Sequence, residues 1–217
     1  MMTTNKLTKT FASGSLAIGV LAGAVLTATS ASAASMVLTW DQWTSGTDLE
    51  VGDKIVKFKP GSITGGFVAE AVDKVALTEM GGHYYFRYDA MDGLADTNMS
   101  SGSFTYTIEV TDPNKYITAV ALDSDVTATY NNVTKFVQEP NITLTSTNGS
   151  ADPLFGFYPI APTQLLTVTD TITANPGEGL FSLNNAYKQT TVPEPGTILG
   201  LLTVGGLGLV SRLKKQK

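Results

Sequence analysis

The chain contains no cysteine and only one histidine, His83, among its 217 residues. The lack of cysteine excludes a disulfide framework, a zinc–thiolate site and a cysteine nucleophile. A serine–histidine–aspartate triad would have to use His83, and no G-x-S-x-G motif accompanies this residue. We therefore expect His83 to be a structural or surface imidazole, and we expect apolar packing to hold the protein together.

Positive charge is also scarce in the middle of the chain. Residues 34–191 contain eight lysines and arginines against eighteen aspartates and glutamates, which gives this region a net charge of about −10. So acidic a surface argues against nucleic acids and anionic membranes as partners, because both would repel it. It suits a domain that must stay soluble outside the cell, and we predict no nucleic-acid partner.

The N-terminal residues have the pattern of a secretory leader. Two lysines precede an uncharged apolar run at residues 11–26, and Ala31 and Ala33 then form an A-x-A cleavage site. These three parts are typical of a Sec-type signal peptide. We predict a signal-peptide helix within residues 1–33 and cleavage after Ala33. The alternative is an uncleaved N-terminal anchor, but no stop-transfer pattern follows.

The last 26 residues have three parts. A short extended motif comes first, formed by Val192, Pro193, Glu194 and Pro195. Fourteen residues without charge follow at 197–210, and a basic end follows these, formed by Arg212, Lys214, Lys215 and Lys217. The two prolines keep the chain extended and prevent a helix from growing backwards past them. The basic end favours leaving this terminus in the cytoplasm.

The apolar run is short for a membrane span. Fourteen residues form a helix of about 21 Å, against a hydrocarbon core of about 30 Å, so a buried core helix is the alternative interpretation. The flanking arginine and lysines extend the effective span because their charged ends reach the interface. We predict a transmembrane helix over residues 197–211.

This arrangement resembles the PEP-CTERM sorting signal of secreted proteins from cyanobacteria and other Gram-negative bacteria. The resemblance covers residues 192–217, about an eighth of the chain. It implies recognition by exosortase, a membrane protease-transpeptidase that cleaves near the Pro-Glu-Pro sequence. It also implies a transient stay in the inner membrane and then delivery to the cell surface or into exopolysaccharide. Either cleavage of the tail or its retention as an anchor is compatible with the sequence.

Short strands dominate the region between the two terminal signals. The clearest is 104–110, in which apolar side chains alternate with polar ones, and its apolar face comprises Phe104, Tyr106, Ile108 and Val110. Eight to ten such strands with turn residues between them predict an all-β, antiparallel β-sandwich, jelly-roll-like in type. We assign residues 34–187 to this domain and residues 188–191 to a polar spacer.

Several strand boundaries are specific predictions. We expect a strand at 36–40, two strands at 116–122 and 126–130 broken by the acidic sequence 123–125, and a short last strand at 180–183. Residues 67–77 fit either a helix or a strand, and the preceding glycines favour a strand. Residues 154–162 contain two prolines, which predicts an edge strand or a connector.

One loop contains candidate metal ligands. Asp89, Asp92 and Asp96 lie close together in the sequence, and carboxylate oxygens in loops bind calcium at extracellular concentrations. The D-x-D-x-D-G spacing of a calcium loop is absent, so ordinary solvated turn acids are the alternative. Calcium is the only cofactor that the sequence suggests.

Three functional hypotheses follow. The first is an exported, non-enzymatic protein of the cell surface or matrix. The second is a carbohydrate-binding module in which exposed aromatic rings stack on sugars; the candidates are Trp40, Trp43, Tyr84, Tyr85 and Tyr88. The third is a secreted hydrolase, which would need two carboxylates in one cleft or a triad built on His83. An exposed, coplanar set of these rings would favour the second hypothesis, and burial of all of them would remove it.

Overall fold

A computed structural model describes residues 34–91 and 97–191, and the part it describes contains twelve strands and one short helix. In chain order these are β1 (Ala34–Thr39), α1 (Trp40–Thr44), β2 (Leu49–Val51), β3 (Lys54–Phe58), β4 (Lys74–Met80), β5 (His83–Asp89), β6 (Gly102–Val110), β7 (Lys115–Val126), β8 (Asn131–Val137), β9 (Ile142–Thr147), β10 (Tyr158–Thr163), β11 (Leu165–Ala174) and β12 (Leu180–Thr191).

The strands form two six-stranded sheets. The first has the order β1-β4-β5-β12-β7-β10, and the second has the order β2-β3-β6-β11-β8-β9. Every pair of neighbouring strands is antiparallel. The all-β prediction is confirmed, and two antiparallel sheets around a shared apolar core are consistent with a sandwich.

The predicted helices at the two ends of the chain lie outside the described residues. Within residues 34–91 and 97–191, none of the helical structure has the length and apolar character needed to cross a membrane.

Alternation of apolar and polar side chains explains the strands next to the core. The four apolar residues of β6 are all buried, as predicted, and the two threonines and the glutamate between them are partly exposed. The centre of the core is aromatic. The ring centroids of Trp40 and Phe104 lie 5.2 Å apart, as do those of Trp43 and Phe86. Each such pair contributes about 0.5–1.5 kcal/mol beyond the burial of its area.

Helix α1 was not predicted and corrects the strand proposed at 36–40. The strand ends at Thr39, whose side chain accepts a hydrogen bond from the backbone N–H of Gln42. Gln42 in return accepts from the backbone N–H of Thr39, which completes a capping box. The single helical turn that follows directs Trp40 and Trp43 into the core.

Two further strand predictions are corrected by the pairing. Residues 67–73 are not a strand, and β4 begins only at Lys74. Strand β7 runs unbroken through 123–125, because these residues pair with β12 and Ser124 turns inward to hydrogen-bond Ser146 at 2.7 Å. The second predicted strand at 126–130 is replaced by a turn after Val126.

Strand β10 confirms the prediction made from its prolines. It pairs only with β7 and lies at the edge of the first sheet. An edge tolerates Pro159 and Pro162 because one side of the strand needs no ladder hydrogen bonds.

Strand β12 differs most from expectation. It runs from Leu180 to Thr191, so the predicted last strand at 180–183 is too short and the polar spacer at 188–191 is wrong. The strand lies between β5 and β7: residues 182–188 pair with both neighbours, and residues 189–191 pair with β7. Polar side chains are therefore no obstacle to strand formation here, and the described domain extends to Thr191.

Candidate functional site

The described domain ends where the predicted sorting segment begins. Thr191 is still paired with Lys115 of β7, and Val192 is the next residue of the chain. The predicted motif at 192–195, the predicted membrane helix and the basic end lie outside the described residues, as do Ala31 and Ala33 of the leader. The structure thus shows the attachment point of the sorting segment.

A group of polar residues holds this end of β12. We call it the terminal cluster; it comprises Asp53, Lys54, Tyr84, Lys115 and Gln189. The ammonium of Lys54 donates to Asp53 Oδ1 at 2.7 Å and also to Gln189 Oε1. Gln189 Nε2 donates to Asp53 Oδ2 at 2.9 Å, and the Tyr84 hydroxyl donates to Asp53 Oδ1 at 2.8 Å. Gln189 therefore ties β12 to the Asp53–Lys54 ion pair.

Electrostatics keep the terminal cluster charged. Burial alone would raise the pKa of Asp53, but hydrogen bonds from Lys54, Tyr84 and Gln189 together with the charge of Lys54 lower it to about 2. Lys115 Nζ adds a second cation 3.4 Å from Asp53 Oδ2. Burial lowers the pKa of Lys54, and its ammonium lies 4.2 Å from the centroid of the Tyr84 ring.

A second polar group lies in the interior between the sheets. We call it the core cluster; it comprises Tyr106, Lys135, Asp170, Asn185 and Tyr187, all completely buried. Lys135 Nζ donates to the Ala121 carbonyl at 3.3 Å and lies 4.0 Å from the centroid of the Tyr187 ring. Asn185 Nδ2 donates to Asp170 Oδ2 at 2.7 Å, and the two tyrosine hydroxyls are 2.7 Å apart.

The core cluster is incompletely hydrogen-bonded. Asp170 Oδ1 and Asn185 Oδ1 are buried and have no hydrogen-bond partner. Burial raises the pKa of Asp170, and the nearby charge of Lys135, the hydrogen bond from Asn185 and the hydroxyl of Tyr106 only partly oppose this. Burial likewise lowers the pKa of Lys135, against the charge of Asp170. Both ionisable groups are thus pushed towards their neutral forms.

Sequence reasoning missed both clusters, although a signal was present. Asp170 occupies an inward position in β11, in phase with the buried apolar residues Leu166, Val168 and Ile172. Lys135 stands in the same way between Val133 and Val137 in β8. A charged residue at an inward-facing position of a strand lies in the core together with its apolar neighbours. Because a buried charge needs a partner, such a position predicts a polar cluster.

The predicted calcium ligands are only partly described. Asp89 ends β5, where Oδ2 pairs with Arg87 at 2.8 Å and Oδ1 accepts from the Met91 N–H at 3.0 Å. Asp92 and Asp96 lie outside the described residues. Among the residues that the structure describes, no three histidine or acidic side chains form a metal-binding group. Calcium binding by this loop stays a prediction.

The candidate sugar-binding aromatics do not form an exposed face. Trp40, Trp43, Tyr84 and Tyr88 are buried, and only Tyr85 of this set is partly exposed. The rings face the core because alternate residues of β5 point to it and α1 turns both tryptophans inward. The four buried side chains belong to the core and present no ring face to solvent.

His83 lies at the start of β5 and is half-buried. Its ring packs against Phe157, with the ring centroids 4.9 Å apart, and its Nδ1 atom has no hydrogen-bond partner. No hydrogen bond joins His83 to a serine or an aspartate in the described part of the chain, so a triad built on it is not assembled there.

The described residues also form a cavity of about 270 Å³ between the segments 68–73 and 97–100. Glu70 and Asp73 both line it, and burial raises the pKa of Asp73. Asp73 Oδ2 accepts hydrogen bonds from the Tyr88 hydroxyl at 2.5 Å and from the Glu70 N–H at 3.0 Å. The paired-carboxylate form of the hydrolase hypothesis would have to be tested here.

Comparison with known proteins identifies the tail. The chain matches the PEP-CTERM protein-sorting motif over residues 191–215. No curated protein matches the chain. The match begins at Thr191, the last residue of β12, and ends within the basic terminus. This protein therefore contains a PEP-CTERM sorting domain, and its motif supports export and exosortase-dependent sorting.

Proposed function

We propose that this is a non-enzymatic exported protein whose β-domain works at the cell surface or in the extracellular matrix. One observation carries the proposal: the sorting motif matched at 191–215 follows the central strand β12 without a spacer. A folded domain joined so closely to the sorting signal is positioned as the cargo of that signal. Sorting towards the cell surface is what the motif implies.

The route that we propose has three steps. The leader at 1–33 directs Sec export, the segment 197–211 holds the protein briefly in the inner membrane, and exosortase then acts near Pro193, Glu194 and Pro195. The basic end at Arg212 and the lysines that follow keeps the terminus in the cytoplasm meanwhile. The apolar and basic patterns of the two termini support this route.

The released domain is suited to a matrix rich in exopolysaccharide. Its net charge of about −10 favours solubility outside the cell, and its core needs no disulfides. We further propose a jelly-roll-like topology. Its support is the strand order, in which β12 is inserted between β5 and β7 and β11 between β6 and β8.

The sorting proposal is tested by mass. The protein is recovered separately from the membrane and extracellular fractions of its native host, and the intact mass of each form is measured. We expect a form that begins at Ala34 and ends close to residues 193–195. A chain that still ends at Lys217 in every fraction would contradict exosortase processing.

A matched pair of variants sharpens this test. The double variant Pro193→Ala/Pro195→Ala should remain in the membrane fraction with its tail intact. Pro176→Ala, in the turn between β11 and β12, changes a proline outside the motif and should be processed like the parent chain. Equal processing of both variants would remove the role that we assign to the Pro-Glu-Pro sequence.

A further inference from the structure

The core cluster costs more free energy of burial than a purely structural ion pair would be expected to. Lys135, Asp170 and Asn185 are completely buried, yet two of their oxygen atoms have no hydrogen-bond partner. Buried charges need both a close partner and satisfied hydrogen bonds to offset their lost hydration. No Lys135–Asp170 contact qualifies as a salt bridge among the described residues. The arrangement therefore calls for another explanation.

Burial favours the reactive form of each group. It lowers the pKa of Lys135 and raises that of Asp170, which favours a neutral amine beside a protonated carboxyl group. A neutral amine has the free electron pair that a nucleophile needs. A protonated carboxyl group can donate to a carbonyl oxygen and assist a leaving group.

The topology brings the three side chains together from both sheets. Lys135 on β8 and Asp170 on β11 are directly opposite each other in the second sheet. Asn185 projects from β12 of the first sheet, and its amide hydrogen-bonds Asp170 at 2.7 Å. Lys135 Nζ lies over the ring of Tyr187, which is two residues from Asn185 on the same face of β12. Asp170 is thus next to both potential reactants.

We propose that Lys135 and Asn185 condense to form an intramolecular amide crosslink between the two sheets, with Asp170 as the proton-transfer group. The observation that carries this is the buried juxtaposition of the three residues: Asp170 lies opposite Lys135 in the second sheet and accepts a hydrogen bond from Asn185, and Asp170 and Asn185 each have an unpartnered oxygen atom. The inference is independent of the proposed sorting route.

The reaction balances without an oxidant or a cofactor. The neutral Nζ atom of Lys135 attacks Cγ of Asn185, a C–N bond forms, and the carbonyl electron pair moves to Oδ1. Asp170 takes a proton from Nζ and delivers a proton to Nδ2. The bond from Cγ to Nδ2 then breaks, ammonia leaves, and the carbonyl re-forms. The products are one secondary amide and one ammonia molecule, and Asp170 is regenerated.

The unpartnered Asn185 Oδ1 has a role in this step. The assignment of oxygen and nitrogen in a side-chain amide follows from its hydrogen bonds, and a protonated Asp170 would hydrogen-bond equally well to the oxygen. Rotation of the Asn185 amide by half a turn places Oδ1 next to Asp170 for the attack, and the reverse rotation in the tetrahedral intermediate returns Nδ2 to Asp170 for the proton delivery. The carboxyl proton then stabilises the negative charge that develops on this oxygen during attack.

Such a link would take the place of the absent disulfides. It joins β8 to β12 across the core and closes a loop that contains β9, β10 and β11. Strand β12 is the one that continues into the sorting motif. The crosslink would therefore attach the strand that precedes the tail covalently to the opposite sheet.

Peptide mapping of the full chain tests the proposal directly. Glu178 lies between Asp170 and Asn185, so cleavage after glutamate in the denatured protein separates the Lys135 fragment from the Asn185 fragment. We expect these two fragments to stay joined, with a mass about 17 Da below the sum of their masses, because one ammonia is lost. Separate fragments of unmodified mass would overturn the proposal, as would a loss of ammonia confined to the Asn185 fragment.

Variants assign the reacting atoms. Asn185→Ala should abolish the joined fragment, whereas Asn184→Ala changes the neighbouring amide on the outer face of β12 and should keep it. Asn185→Asp can lose only water, so any joined fragment should be lighter by about 18 Da. A joined fragment in Asn185→Ala, or a link between Lys135 and Asp170, would overturn the role of Asn185. The map of the parent chain decides the matter even if a variant fails to fold.

Discussion

The terminal cluster and the core cluster use the same chemistry in two settings. Each contains a buried lysine, an aspartate, a side-chain amide on β12 and a tyrosine ring beneath the lysine ammonium. In the terminal cluster Asp53 accepts from Lys54, Tyr84 and Gln189. In the core cluster Asp170 has one oxygen without a partner, and so has the amide of Asn185.

The difference shows what decides the state of a buried lysine–aspartate pair. Several donors around Asp53 hold its pKa far below the usual range, so the pair stays ionised. Complete burial with too few donors raises the pKa of Asp170 and lowers that of Lys135. The depth of burial and the number of hydrogen bonds around the carboxylate, rather than the types of residue, decide whether the pair stays ionised or is pushed towards its neutral forms.

The largest expected effect comes from replacing the two lysines in turn. Lys135→Met removes one partner of a completely buried pair and leaves Asp170 with fewer polar neighbours, so the free energy of unfolding should fall by about 3–5 kcal/mol. Lys54→Met should cost only about 1–2 kcal/mol, because Tyr84, Gln189 and Lys115 still neutralise or solvate Asp53. Urea denaturation measures both. Equal losses would mean that the two clusters do not differ as described.

Acid should separate the clusters by the sign of its effect. The folded-state pKa of Asp53 is about 2, below its usual value of 3.8, so its contribution is present above pH 4 and is lost as the pH falls towards 2. The loss should be about 2 kcal/mol, and Asp53→Asn should remove it. Unfolding free energies measured between pH 5 and pH 2 test this, and an unchanged acid limb in Asp53→Asn would contradict it.

Asp170 should act in the opposite direction. Its pKa is raised in the folded state, so its contribution is fully present below pH 4 and is lost as the pH rises through the raised value. Asp170→Asn should therefore reduce the loss of unfolding free energy between about pH 4 and neutral pH. It should leave unchanged the loss below pH 4 that we assign to Asp53. The same measurements extended from pH 5 to pH 8 test this effect, and a variant that instead changes only the acid limb would contradict the comparison.

The smallest expected effect is local. Gln189→Ala removes both hydrogen bonds that tie the end of β12 to Asp53 and Lys54, at a cost of about 1 kcal/mol. The backbone amides of residues 189–191 should then exchange with solvent about fivefold faster, as measured by hydrogen exchange. Thr190→Ala is the control, since Thr190 is exposed and its hydroxyl hydrogen-bonds that of the partly exposed Thr118 at 3.2 Å. Unchanged exchange in Gln189→Ala would mean that backbone pairing alone fixes the strand end.

The sequence predicts those features that depend on local pattern. The alternation in 104–110 predicted β6 and its buried face, and two prolines predicted the edge position of β10. The sorting motif was also predictable, because a linear signal requires no fold to be read, and the match at 191–215 confirms it. Each of these signals lies within a few neighbouring residues.

Features that depend on neighbours in space were not predictable in this way. The acidic residues 123–125 resemble a turn, yet they continue β7 because β12 pairs with them. Residues 188–191 resemble a spacer, yet they are part of β12. Thr191 pairs with Lys115 of β7, and the side chain of Gln189 hydrogen-bonds Asp53 and Lys54. The core cluster joins residues from β8, β11 and β12, and only the register of two sheets brings them together.

The position of β12 also has a mechanical consequence. A pull on the tail is delivered along a strand whose residues pair with β7 at eleven positions and with β5 at seven. Force in this direction shears two ladders at once, so many hydrogen bonds must break together before the strand slides. A strand at the sheet edge is hydrogen-bonded to one neighbour only, so fewer hydrogen bonds would resist the same force. The tail is thus attached to the strand of the first sheet that is hardest to pull out of the sheet.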